Sequence, residues 1–182
     1  MLRAKTPAQE PALLEGAELE RLMEEHGRAV LALAFSYLRD AVLAEDVFQE
    51  VFARAFRSGA TIRDPRRTRA WLLSVTANLC RDNLRSWSRR SLVLVAEPPE
   101  RPGGATPLDA LSARESDREL AEAVLALSRP LREVVVLRHY EGLSAGETAR
   151  VLGIGTVTVR TRLYRARREL ARVLTEEVSH DA

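Results

Sequence analysis

Cysteine is almost missing from this chain. Cys80 is the only one in 182 residues, so no intramolecular disulfide can form. His26, His139 and His180 share no metal-ligand spacing with one another or with Cys80, and no metal site is expected. Cys80 itself reads as a small buried residue on a helix. Aromatic residues make up only 5% of the chain, and few segments alternate as strands do, so an all-α fold is expected. No apolar run is long enough to span a bilayer, and the N-terminus carries no signal-peptide pattern. A cytoplasmic protein without membrane insertion follows as the expectation. Lysine is nearly absent as well: Lys5 is the only one, so the positive charge is almost all arginine. Net charge is only +2, but it is unevenly spread. Acidic residues gather in the first helices and in the 92–112 segment, whereas arginines crowd residues 81–90 and 160–172. Two separate basic clusters point to two contacts with a polyanion.

The richest stretch runs from Gly155 to Leu170. Val159, Leu163, Ala166 and Leu170 fall at helical spacing as one apolar stripe, while Arg160, Thr161, Tyr164, Arg165 and Arg168 lie off it. A helix buried on one side and rich in arginine on the other suits the major groove, where guanidinium groups meet phosphates or guanine edges. A solvated surface helix is the plainer alternative. The preceding residues favour the first reading. Ser144 and Glu147 have capping-box spacing, Leu143 stands at a staple position opposite Thr148, and Ala149 and Leu152 give a short apolar face. Gly153 suits a helix C′ position, and the basic helix starts near Gly155 or Thr156. A short helix, a glycine turn and an arginine-rich second helix make a helix-turn-helix, against the alternative of an ordinary helical hairpin.

Upstream, residues 1–16 contain Pro7, Pro11 and Gly16 without periodicity and read as a flexible tail. A helical domain is expected over 17–91. Its first helix carries Leu19, Leu22, Met23, Val30, Leu33, Ala34 and Leu38, with a break near Gly27 as an option and an end at Asp40. The second covers about 43–57, with Leu43, Val47, Val51 and Phe52 towards the core. A loop over 58–68 leads to a third helix at about 69–88 bearing Trp71, Leu72, Val75, Leu79 and Leu84. Residues 92–112 hold Pro98, Pro99, Pro102, Gly103, Gly104 and Pro107, which reads as a flexible linker. A second helical domain follows over 113–178, with helices at about 113–127 and 130–140 ahead of the helix-turn-helix.

Four stretches in this order carry a family resemblance: Ala44 to Phe52, Trp71 to Asp82, Leu143 to Ala149, and Thr158 to Arg167. Over about residues 18–174 the chain resembles the extracytoplasmic-function (ECF) sigma factors, the smallest class of bacterial sigma factor. The resemblance implies an alternative sigma factor. Its first domain would bind core RNA polymerase and the minus-ten promoter element, and its second the minus-thirty-five element. Asp46, Gln49, Glu50 and Ala53 share one side of a helix, a polar stripe that reads equally as a solvated face and that in similar proteins contacts core polymerase. No nucleophile, metal ligand or phosphate loop stands near the acidic pair, so neither catalysis nor a cofactor is expected. Arg81, Arg85, Arg89 and Arg90 follow a roughly four-residue rhythm suited to phosphates. The resemblance adds Asn78 as a residue lining the pocket for a flipped minus-ten base, against the alternative of a side-chain hydrogen bond inside its own helix, and the loop around Arg63–Arg69, with Arg66 and Arg67, as the setter of base preference. Trp71 reads as core, and Trp87 as a cover or a stacking platform.

On the recognition helix the family's DNA-facing positions match Arg160, Thr161, Tyr164 and Arg165; Arg160 and Arg165 are the candidates for base edges. Arg162, Arg167 and Arg168 fit phosphate or solvent. Three positions depart from the family's pattern. Val157 stands where Gly or another small residue is common, Gly146 should weaken the first helix of the pair, and Thr148 replaces an aliphatic residue. A disturbed start of the recognition helix is therefore expected. Partners implied by the resemblance are core RNA polymerase, promoter DNA and an anti-sigma factor. Linker residues Glu97, Glu100 and Asp109 would lie in the polymerase cleft, or serve only a solvated tether. A stand-alone helix-turn-helix regulator is the competing function.

Overall fold

A computed structural model describes residues 14–58, 65–90 and 115–178, with side chains described for 14–58, 67–87 and 119–174. Its elements in chain order are α1 (Gly16–Leu38), α2 (Ala41–Arg57), α3 (Pro65–Arg90), α4 (Glu115–Ala126), α5 (Arg129–Val135), a π turn (Val136–Tyr140), α6 (Ala145–Leu152) and α7 (Thr156–Val178). The fold is all-α, as expected, in two helical lobes: α1 to α3, and α4 to α7.

Helix α1 begins earlier in the chain than a tail over 1–16 allows. Leu14 is buried, its N–H donates to Phe56 O at 3.2 Å, and the Glu15 N–H donates to Glu18 Oε2 at 3.1 Å. Residues 14–16 therefore belong to the first lobe, and the rest of the expected tail, 1–13, lies outside the described residues. No break occurs at Gly27. The missing Cβ there lets α1 approach α2, because a Cβ would stand 3.1 Å from the Phe48 ring. Arg39 turns the chain in a left-handed conformation, at φ 51°. Asp40 then caps α2 by accepting from Leu43 N at 3.1 Å. This short-range oxygen, rather than a hydrophobic signal, sets where α2 starts.

The first lobe's core joins Val30, Leu33 and Leu38 of α1 to Ala44, Val47, Val51 and Phe52 of α2 and to Leu72, Leu73, Ala77 and Cys80 of α3. Leu43, expected in that core, is instead 37% exposed. At the first turn of α2 it leaves part of its apolar surface outward, beside the 60% exposed Val42. The loop expected over 58–68 ends early, since α3 starts at Pro65. Proline suits a first helical turn, where its missing N–H breaks no bond. Trp71 packs against the core from a half-buried position, while Trp87 is half-buried at the lobe's edge.

In the second lobe, Val124, Leu127, Leu131, Val134 and Leu137 pack against Leu143, Ala149, Leu152, Val159, Leu163 and Ala166. The helix expected at 130–140 changes winding halfway: the Glu141 N–H bonds Val136 O at 3.0 Å, across five residues. The two lobes touch directly. Helix α1 meets α5, and α3 meets α6.

Candidate nucleic-acid and polymerase interface

The helix-turn-helix is built by local chemistry. Ser144 Oγ accepts from Glu147 N at 3.2 Å, while Glu147 Oε2 accepts from Ser144 N at 2.8 Å, so two orphan amides of α6 are satisfied. Hydrogen bonding to the carboxylate from the Ser144 side chain, and then from its backbone N–H, holds the Glu147 pKa below its ordinary value. Gly153 closes α6 at φ 66°, a left-handed value that glycine adopts without strain, and Ile154 N bonds Ala149 O at 3.1 Å. Helix α7 follows at Thr156. Gly146 does not prevent α6 from forming, because the capping box and the buried Ala149 and Leu152 outweigh one weak helix former. Thr148 is fully buried, and its Oγ1 meets no hydrogen-bond partner among the described residues.

Helix α7 presents two faces. Val159 and Ala166 are fully buried and Leu163 nearly so, with Leu170 half-buried beside them. Arg160, Thr161, Tyr164, Arg165 and Arg168 are all exposed. Arg168 lies 6.0 Å from the centroid of the Tyr164 ring, a cation–π arrangement that steadies two long side chains on one face. Val157 does not disturb the helix start: it is 73% exposed, and the ring of contacts that seats α7 begins at Val159.

Arg162 is placed otherwise than expected. It was assigned to phosphate or solvent, but its Nη1 meets Glu133 Oε1 at 2.7 Å in a pocket that leaves the carboxylate only 10% exposed. Glu133 also takes a hydrogen bond from Tyr37 of the first lobe. Burial, then Glu133, push the Tyr37 phenol pKa far above its ordinary range. Arg162 therefore anchors α7 to α5 and, through Glu133, to α1.

Helix α3 turns part of its basic face towards the second lobe. Arg81 Nη2 donates to Leu152 O, the last carbonyl of α6, at 3.0 Å, and its Nη1 donates to Asn78 Oδ1 at 3.0 Å. Asn78 is exposed beside it. Arg69 forms an ion pair with Glu141, whose carboxylate is buried at the end of the π turn. Arg67 and Arg85 are exposed, and Arg85 stands 3.4 Å from Asp82. The side chains of Arg66, Arg89 and Arg90, together with Arg63, Glu97, Glu100 and Asp109, lie outside the described residues.

On α2, Asp46 and Gln49 are exposed, with Glu50 and Ala53 half-exposed, opposite the buried Ala44, Val47 and Val51. Glu50 pairs with Arg54 at 2.8 Å and Arg57 at 3.4 Å, and the bond from Arg54 holds its pKa below the ordinary value. Two residues missed in the sequence extend this face: Val42, 60% exposed, and Leu43. Their apolar type hid them, since an apolar residue in a helix pattern reads as core. Cys80 is wholly buried, and burial pushes its thiol pKa up to about 12, so it stays protonated and unreactive. Among the described residues no cluster of His, Cys, Asp and Glu gathers to hold a metal.

This geometry of two lobes and a helix-turn-helix has matches among known families. Sigma-70 region 2 matches residues 22–90, and Sigma-70, region 4 matches residues 117–170. The class is thus a sigma-70-type transcription initiation factor. The chain is 35% identical over 166 residues to the ECF RNA polymerase sigma factor SigL of Mycobacterium tuberculosis, covering 91% of this chain and 93% of that one. It is also 35% identical over 168 residues to the RNA polymerase sigma-E factor of Streptomyces coelicolor, covering 92% and 90%. Among solved structures, CnrH in complex with the cytosolic domain of CnrY aligns with a TM-score of 0.61 at 26% identity, over 89% of this chain and 90% of that one. The sigma factor RpoE, in complex with the anti-sigma factor NepR from Bartonella quintana, shares the fold with a TM-score of 0.68 at 22% identity, over 87% and 97%. The chain belongs to the ECF sigma factor family and is an alternative sigma factor that directs RNA polymerase to promoters. The stand-alone regulator is not favoured, because both regions of a sigma factor are matched rather than a helix-turn-helix alone.

Proposed function

We propose that the two lobes divide promoter recognition, with 14–91 and 113–178 as the working domains and 92–112 as the tether. The arginine-rich face of α7 carries the reading. On this view Arg160 and Arg165 meet base edges of the minus-thirty-five element, Thr161 and Tyr164 complete the surface, and Arg168 meets phosphate. Arg162 steadies the helix rather than touching DNA. The minus-ten element falls to α3, where Asn78 receives an unstacked base while Arg66, Arg67, Arg81, Arg85, Arg89 and Arg90 follow the backbone and help hold the strands apart. Asp46, Gln49, Glu50 and Ala53 on α2 face core polymerase, with Val42 and Leu43 adding apolar contact.

The chain works in the cytoplasm, where its polymerase is, and performs no catalysis of its own, since the polymerase supplies the chemistry. An anti-sigma factor is the expected regulator, in keeping with CnrH being bound by the cytosolic domain of CnrY. Run-off transcription with purified core polymerase tests the whole reading. Initiation from a defined start site on a promoter-bearing template is the expected result. Binding to DNA without any directed initiation would return the protein to the class of stand-alone regulators.

A further inference from the structure

The exposed face of α7 is not uniformly charged. Successive helical residues turn by about 100°, which puts Val157, Thr161, Tyr164 and Arg168 within roughly 60° of one another, directly opposite the buried stripe. Arg160 and Arg165 flank this midline on either side. Val157 is 73% exposed and Tyr164 63% exposed, so a strip of apolar surface runs between two arginine rows. Thr161 adds to the strip, because its hydroxyl donates to Val157 O at 3.0 Å and is thereby committed to the backbone, leaving a methyl group as its free chemistry. No acidic residue stands from Thr156 to Arg168, while Arg160, Arg165, Arg167 and Arg168 are exposed there, so the occupant of this face is a polyanion. Within duplex DNA, the major groove offers one apolar group to such a strip, the C5-methyl of thymine. Val157 is in the first turn of the helix, where recognition helices touch base edges.

We propose that Val157 is a specificity-determining residue that selects a thymine in the minus-thirty-five element by packing its methyl groups against the thymine C5-methyl. The inference rests on α7 reading that element. It also reinterprets the bulk at this position: where a small residue would let the helix start lie against any sequence, a branched apolar side chain rewards one base. Adenine and guanine present N7 at that place, which burial against valine leaves without a partner, and cytosine presents only a C5–H beside its amino group, so none of them offers the methyl contact that thymine does.

The test uses holoenzyme assembled from the full chain and core polymerase, with a duplex pool randomised upstream of a fixed minus-ten region. Each thymine of the recovered element is then replaced by uracil, which removes only the methyl group, and binding is measured by competition. The wild-type protein is expected to lose about four-fold in affinity at one thymine, the worth of one buried methyl group. Val157→Ala is expected to bind the thymine and uracil duplexes equally while melting at the wild-type temperature. Recovery of an element without thymine sensitivity, or sensitivity that persists in Val157→Ala, overturns the assignment of Val157. Arg165→Ala separates that failure from a deeper one. If Arg165→Ala alters the recovered element while uracil has no effect, only Val157 is misassigned. If no upstream element is recovered, or Arg165→Ala leaves it unchanged, the reading of α7 falls and the inference with it.

Discussion

Helices α3 and α7 carry the same residue type to opposite ends. On α3, Arg69 and Arg81 are turned towards the second lobe, one to the buried Glu141 and the other to the Leu152 carbonyl. On α7, Arg160 and Arg165 face outward, and no ion pair holds them among the described residues. Guanidinium groups are alike in charge, so the difference comes from what stands opposite them. A buried carboxylate demands a partner, and the lobes close around one. An open arginine face waits for a ligand. The contrast has a consequence for promoter binding. Leu152 precedes Thr156 by four residues, so Arg81 stands within about 17 Å of the start of the recognition helix. Promoter elements named for positions about 25 base pairs apart are separated by roughly 85 Å of duplex. If α3 and α7 take the two elements as proposed, both surfaces cannot engage them while the lobes touch, and part of α3 becomes available only when the lobes separate.

The largest expected effect breaks the contrast within α7 itself. Arg162→Ala removes the partner of a Glu133 carboxylate that is almost fully covered, and should cost about 3 kcal/mol of stability. Urea unfolding checks this, and the preferred promoter sequence should not change. A stable Arg162→Ala protein with altered base preference would put Arg162 back among the DNA contacts. Arg165→Ala should do the reverse. Promoter binding should weaken by about 1–3 kcal/mol with relaxed preference at one base pair, while the unfolding midpoint stays within error of wild type.

The lobe contact can be opened without touching a DNA-facing residue. Glu141→Gln removes the ion pair to Arg69, and Tyr37→Phe removes the hydroxyl that bridges to Glu133, each contact being worth about 1–2 kcal/mol. Together they should raise the radius of gyration in small-angle scattering by several ångströms and speed assembly with core polymerase. A double variant as compact as the wild type would show that apolar packing between the lobes, not these polar contacts, holds them.

These cases show where sequence reasoning reaches and where it stops. The capping pair Ser144 and Glu147, the Gly153 turn and the Val159–Leu163–Ala166 stripe are legible because each depends on residues within one or two turns. The same is true of the outward Arg160 and Arg165, which are defined by not lying on the stripe. The pairing of Arg162 is not legible, because its partner Glu133 is 29 residues away and no periodicity links the two. Arg69 and Glu141 are 72 residues apart across the linker, so their pairing is invisible until the lobes are placed. Leu43 and Val42 fail differently. Their chemistry says core, and only the packed helices show that Leu43 stays 37% and Val42 60% exposed.

The smallest effect concerns His26, which sits where the lobes meet. The groups acting on it are Glu25, 3.7 Å away, and the Arg69–Glu141 pair. Burial lowers its pKa from the ordinary 6.5, and Arg69 adds to that, while the two carboxylates oppose it. In the unfolded chain the imidazole takes a proton as the pH falls through 6.5, whereas in the folded protein it stays neutral to a lower pH. The unfolded state then binds more protons, so stability drops on acidification and stops dropping once the folded form is protonated too. The loss should appear over the acidic range that begins as the pH falls through 6.5, and cease once the folded imidazole is protonated as well. His139 is shifted in the same direction by burial, Arg167 and Arg138, so a wild-type slope alone does not isolate His26. The difference between wild type and His26→Gln does. Urea midpoints measured across that range should fall less steeply for the variant. Equal slopes would mean that the acid sensitivity of the closed lobes comes from His139 or the carboxylates, and that His26 takes its proton without cost.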